Sequence, residues 1–238
     1  MLAAVLTLVV TLAFAVSPFL VPGFNGFSPE QFPIPQNDPP VQPAGYAFSI
    51  WGLIYLWLIA SAVFGLWLRR DDPDWAEMRP ALILSLAIGA AWLPVAQQNP
   101  PIATVMIWAM WLTAVAALMR SPRDDRGIAA WPVGLYAGWL TAASCVALGL
   151  CLAGYGIVSE RIAALAMLGL ALVLAVAIQW KLGRAPGFGL AVVWALIGVF
   201  VANRTPMTEI TMLAVAGAAL VLFLALVAAF RDWRSSPV

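Results

Sequence analysis

The chain contains no histidine. That removes the commonest metal ligand and the side chain that most readily moves a proton near neutral pH. Cysteine is nearly absent too: Cys145 and Cys151 lie six positions apart in one apolar run. At that spacing they do not face each other on a helix, so neither a disulfide framework nor a cysteine metal site is expected. Charge is scarce: Asp, Glu, Lys and Arg make up 10% of the residues and the net charge is +1. Such a balance offers nothing to nucleic acid. No ionisable residue falls in the middle of an apolar run. Intramembrane charges mark proton relays and ion paths, so their lack argues against a proton-coupled transporter and an ion channel. It argues equally against acid–base catalysis inside a membrane, and no enzyme is read from the chain. Chemistry carried by a bound pigment would not need such groups.

What the chain has in excess is apolar surface. It is 63% hydrophobic with a mean hydropathy of +0.94, more than a soluble domain of this length can hide. Apolar runs of about twenty residues recur, the length of a membrane-crossing helix. They lack the alternation of a barrel strand. The expected fold is all-α, a polytopic helical membrane protein with eight spans.

The first span is read as Leu2 to Leu20, stopped by Pro22-Gly23. Ala13-Phe14-Ala15 resembles a signal cleavage site, but no basic residue precedes the run, which favours a retained helix. A proline-rich segment follows, from Val21 to Gln42, with Phe24, Phe27 and Phe32 in it. Its prolines forbid a regular helix, and its aromatics suit a loop lying over the membrane surface or folded back as a lid. The further spans are read as Gly45 to Leu68, Pro80 to Ala96, Ile102 to Met119, Trp131 to Leu152, Ile162 to Trp180, Phe188 to Ala202 and Ile210 to Phe230. The seventh is short. Basic residues cluster after the even-numbered spans: Arg69, Arg70 and Arg79, then Arg120, Arg123 and Arg126, then Lys181 and Arg184, then Arg231 and Arg234. Only Arg161 and Arg204 fall on the other side. The positive-inside rule then places both termini in the cytoplasm and the proline-rich loop outside.

The aromatic residues cluster in the stretch PAGYAFSIWGLIY, Pro43 to Tyr55. Read as a helix, Phe48, Trp51 and Tyr55 share one face. Trp67, Trp131, Trp180 and Trp233 sit at span ends, where an interfacial belt accounts for them. Trp51, Trp92, Trp108 and Trp139 lie deeper, beside Gly and Ala. Trp139 shares a helical face with Tyr136 and Ala143. Small residues beside large rings leave a slot for a flat ligand or let helices pack closely, and residue chemistry alone leaves both readings open. Gly134 and Gly138 form a GxxxG, a signal of helix association.

Three of these stretches together resemble the TspO/MBR family, the tryptophan-rich sensory and translocator proteins. PAGYAFSIWGLIY is similar to the family's proline-rich approach to its second helix, through Phe48, Trp51, Leu53 and Tyr55. AAWLPV resembles its Trp-Pro-Pro turn, through Trp92 and Pro94. LYAGWLTAAS resembles its fifth-helix signature, through Tyr136, Trp139, Ala143 and Ser144. The resemblance covers about residues 1 to 152. It implies a TspO-like five-helix bundle there and three additional C-terminal helices over 153 to 238. It further implies a cavity for a porphyrin, haem or related tetrapyrrole, or a sterol-like molecule, held without a covalent bond. By register the cavity walls would be Phe48, Trp51, Tyr55, Trp92, Tyr136, Trp139 and Ala143, with no metal ligand and no catalytic residue among them. The implied partners are the lipid bilayer, such a small apolar ligand and, in a homodimer, a second copy. The implied location is a bacterial inner membrane. The chain departs from the family where Gly89 replaces an Asn, Leu135 a Pro and Ala147 an Asn, and each change removes a feature that could orient a ligand. Three functions remain: a binding or sensory protein, a permease for a small apolar or zwitterionic solute, and an assembly subunit whose aromatics only pack.

Overall fold

A computed structural model describes residues 1–21, 26–205 and 208–234. Phe24 lies outside the described residues. Among the described residues eight α-helices follow one another: α1 (Leu2–Leu20), α2 (Ile50–Trp67), α3 (Pro73–Ala96), α4 (Pro100–Met119), α5 (Ala130–Gly154), α6 (Glu160–Leu182), α7 (Gly187–Ala202) and α8 (Glu209–Arg234). No strand occurs among the described residues. Seven of the helices are long and apolar enough to cross a membrane; α7, at 16 residues, is shorter. The outward faces carry exposed Leu12, Leu56, Val105, Val173 and Phe223, a surface suited to lipid rather than water.

Two helix starts differ from the hydropathy reading. The third helix begins at Pro73 rather than Pro80. Asp72 caps it, its side chain accepting from the Asp74 and Trp75 amides, and Pro73 occupies the first turn, where its missing N–H costs nothing. Arg79 therefore lies within α3, only 2% exposed, instead of in a loop. Its guanidinium donates to the Gly65, Arg69 and Arg70 carbonyls at 2.7–2.9 Å, satisfying the acceptors left over at the end of α2. The second helix is preceded by a 3-10 turn, Gly45–Ser49, so Phe48 stands just before the α-helix proper.

α5 is the centre of the bundle. It is rich in Ala, Gly, Ser and Thr, is buried on nearly every side, and packs against α4, α6 and α7. On the other flank α3 holds α1 and α4, while α7 and α6 both contact α8. The small residues at 134 and 138 find their partner in α7. A Cβ at Gly138 would lie 2.1 Å from the Phe188 carbonyl oxygen, so only glycine permits this approach.

Most of the basic residues gather at one end. There Arg69 pairs with Asp125 at 2.6 Å, and Trp75 Nε1 donates to the same carboxylate at 2.9 Å. The Met1 amine lies 3.3 Å from Asp71 at this end, and α8 finishes here as well, so both ends of the helical array lie together.

Candidate functional site

At the opposite end the proline-rich segment is tied down across three helices. Gln31 accepts from the Ser28 amide at 2.7 Å and donates to the Ala96 carbonyl, at the end of α3, at 2.9 Å. The Ile34 amide donates to Gly154 at the end of α5 (2.9 Å), and Asn203 after α7 donates to Pro40 (3.0 Å). Phe32 is buried and meets Phe27 and Tyr155 edge-on. The described part of the segment is therefore a fastened cover over α3, α5 and α7.

Beyond this cover the chain turns into Gly45–Ser49, and α7 holds that turn. Trp194 Nε1 donates to the Ala47 carbonyl at 2.8 Å, the Ala44 amide donates to Gly198 at 3.0 Å, and the Tyr46 and Trp194 rings meet at 90°. A Cβ at Gly198 would come within 2.7 Å of Pro43. The turn therefore lies directly on α7 and directs Phe48 and the first turns of α2 toward α5.

There the aromatic side chains converge. Trp51 stacks on Tyr55, one helical turn away, at 5.4 Å and 17°. Trp139 from α5 meets both Phe48 and Trp51 edge-on, at 5.8 and 6.1 Å. Such arrangements bring a ring edge to a ring face and stabilise beyond the area they bury. Phe14 from α1 closes the far side against Trp51, Tyr55 and Tyr136.

Between these rings lies a cavity of about 420 Å³, within the range of small-molecule sites. Of the residues named from sequence, Phe48, Trp51, Tyr55, Trp92, Trp139 and Ala143 line it. Tyr136 does not. It is 0% exposed and stands behind Trp51, bonded to Ser85 Oγ at 2.9 Å. Because the Ser85 hydroxyl hydrogen goes to the Met110 carbonyl (2.8 Å), Tyr136 is the donor in that pair. Exposed Tyr46 and Ser49 rim the cavity on the α2 side.

Sequence reasoning missed Phe14, Gly89 and Met110 in the lining. Gly89 has a direct role. A Cβ there would lie 2.7 Å from the Phe14 ring, so the glycine that stands in place of a polar residue admits an aromatic from α1. The available signal was the lack of a side chain at 89, but nothing in the sequence indicated which ring would fill the gap.

The polar groups of the wall are few. Trp92 Nε1 donates to the Ala103 carbonyl at 2.8 Å. Trp139 Nε1 is buried and has no hydrogen-bond partner among the described residues, an N–H that gains free energy from any acceptor that reaches it. Among the described residues no charged side chain lines the cavity, and no group of His, Cys, Asp or Glu could hold a metal. The arrangement can bury and stack a ligand and can hydrogen-bond it through the hydroxyl-bearing side chains of Tyr46, Ser49 and Tyr55 on its wall.

A second, smaller apolar cavity of about 70 Å³ adjoins the first. Phe48, Trp92, Ile107, Trp139 and Ala143 face both. Its other walls come from the cover and from α6 and α7, through Val41, Met167, Val192 and Leu196.

The model of the family described as TSPO-like protein matches residues 1–227. The match runs past α5 and takes in most of α8. No curated protein and no solved structure matches the chain.

Proposed function

The chain belongs to the TSPO-like protein family, and from that premise we propose that this integral membrane protein binds a porphyrin, haem or similarly flat apolar molecule in its aromatic cavity. One observation carries the reading: Trp51, Tyr55 and Trp139 surround a space of about 420 Å³ that has no charged wall. A flat conjugated ring would lie against the stacked Trp51–Tyr55 pair and meet the edge of Trp139, gaining stacking and apolar burial. Tyr46, Ser49 and Tyr55, whose side chains end in hydroxyls, line the same space and offer the polar contacts that would fix its orientation. The fit concerns shape and polarity alone. Binding or sensing is the activity proposed, with the basic end in the cytoplasm of a bacterial inner membrane and the cover outside.

The test is a titration of the purified protein with protoporphyrin, followed by quenching of tryptophan fluorescence. Saturable quenching is expected in the wild type, and a loss of affinity in the Trp51→Ala, Trp139→Ala double variant. If the two proteins bind alike, the site lies elsewhere. If uptake of the compound into proteoliposomes saturates and depends on the same residues, the protein is a permease instead.

A further inference from the structure

We infer that the second, smaller cavity receives a short aliphatic branch on the edge of the bound molecule, an assignment that rests on the ring-binding reading above and adds the chemistry of the ligand's periphery. The ligand is then flat and amphiphilic, with small alkyl groups along one edge and polar groups along another. Phe48, Trp92, Ile107, Trp139 and Ala143 line both spaces. A group that projects between these side chains from a ring in the main cavity therefore reaches the second one.

Small side chains make the void. Ala142 and Ala147 from α5, Ala171 from α6 and Ala195 from α7 meet here. α7 cannot close the gap, because the helix is seated near both ends. Close to its start, the Phe188 carbonyl lies against Gly138. Close to its finish, Gly198 lies against Pro43 and Ala47, and Trp194 donates to the Ala47 carbonyl at 2.8 Å. α6 in turn packs on α5 and α8 and only lightly on α7. The space between α6 and α7, with Val41 and Pro43 of the cover on its wall, is thus built into the fold. Its lining forfeits dispersion contacts that an occupant would restore.

Size and polarity define what fits. The recess measures about 70 Å³, roughly half of the ~150 Å³ that encloses benzene, so it has room for about three carbon atoms. Beyond the shared rings its walls are apolar among the described residues, apart from Gln42 and the Cys145 thiol, and the Gln42 amide lies beside Gly26 in the cover. Tyr46, Ser49 and Tyr55, which bring hydroxyls to the main cavity, do not line it. The paired cavities therefore separate a hydroxyl-bearing region from an apolar recess. Each carbon of a branch seated in the recess should raise affinity about fourfold.

The test compares porphyrins that differ only in their apolar edge: deuteroporphyrin, with hydrogens at the variable positions, mesoporphyrin, with ethyl groups, and dihexyldeuteroporphyrin. Each is titrated into the full-length protein in detergent, and tryptophan quenching gives the affinity. Mesoporphyrin should bind the wild type about tenfold more tightly than deuteroporphyrin. The hexyl compound, whose chains exceed the recess, should bind no better than mesoporphyrin. The advantage of mesoporphyrin should disappear in Ala171→Leu and in Ala195→Leu. Each variant fills the recess from a different helix, so a folding defect in one leaves the other to be read, and neither alanine lines the main cavity. Equal affinity of the wild type for deuteroporphyrin and mesoporphyrin overturns the inference and leaves the ring-binding reading standing. So does an advantage that survives in the filled variants, or an affinity that keeps rising with hexyl groups, the mark of partition into detergent. If none of the porphyrins binds, the ring-binding reading fails and the recess loses its assignment with it.

Discussion

Trp139 stands edge-on to Trp51, ring centroids 6.1 Å apart at 81°, and its own N–H is left without an acceptor. Two large rings from helices far apart in sequence thus meet at one point of the cavity wall, and one of them holds an unused donor.

That unused donor can be tested separately from the ring. Trp139→Phe keeps an aromatic in the wall and deletes the N–H. Trp139 is 2% exposed and packs against Phe48 and Trp51, so the lost ring atoms should cost about 1 kcal/mol although no internal hydrogen bond is broken. Affinity for protoporphyrin should fall about fivefold, the size of one net hydrogen bond. Thermal unfolding and quenching titrations read the two effects independently, and an unchanged affinity would mean that the N–H does not touch the ligand.

The approach of α5 to α7 sets a steep difference between two neighbouring glycines. At Gly138 an added Cβ would lie 2.1 Å from the Phe188 carbonyl oxygen, while at Gly134 the nearest atom is the Phe188 amide nitrogen at 3.1 Å. Gly138→Ala should cost about 3 kcal/mol and Gly134→Ala less than about 1 kcal/mol, the range of overpacking effects. Reversible unfolding in detergent provides the comparison; equal losses would contradict the packing described.

Gly89 and Phe14 should be energetically coupled. Gly89→Ala puts a methyl group 2.7 Å from the Phe14 ring and should destabilise by about 2 kcal/mol. In a Phe14→Ala background the same change should cost at least about 1 kcal/mol less. A double-mutant cycle on unfolding free energies measures this coupling, and strict additivity would place Phe14 elsewhere.

The carboxylate that ties α2 and α3 to the α4–α5 loop gives the fold an acid limit. Burial pushes the Asp125 pKa up, but bonds from Arg69 and Trp75 outweigh it, so the value lies below the ordinary one. A depressed carboxylate pKa adds stability above the unfolded value of about 3.9, and that stability is lost as pH falls through the folded value. The unfolding temperature should therefore decline as pH drops below about 4. Asp125→Asn should unfold at a lower temperature at neutral pH and show a shallower decline in acid. A parallel decline in both proteins would assign the acid sensitivity to other groups.

The eight helices were legible because seven of the apolar runs are long and the short seventh is bounded by Pro186 and Arg204. The start of α3 was not, since Asp74, Glu77 and Arg79 make its first turns polar, and hydropathy cannot see that Arg79 is absorbed by the carbonyls at the end of α2. The GxxxG at Gly134 and Gly138 indicated close packing but carried no information about the partner, which lies some fifty residues away at Gly187–Phe188. The family resemblance, read by register, put Phe48, Trp51, Tyr55, Trp92, Trp139 and Ala143 on one cavity, and the six do face a common space. It failed for Tyr136, whose hydroxyl is claimed by Ser85 on α3, a contact between helices that no periodicity encodes. Phe14 was missed because a hydropathy reading of α1 gives no facing direction to its one deep aromatic.

The seating of α7 on Gly134 and Gly138 also bears on quaternary structure. This is a strip of small residues on α5, the kind of surface through which membrane helices join their neighbours, and here it is already occupied from within the same polypeptide. A second copy of the chain would have to dock through another helix, so a pair of such proteins would be built around a surface away from the strip that the GxxxG motif advertises.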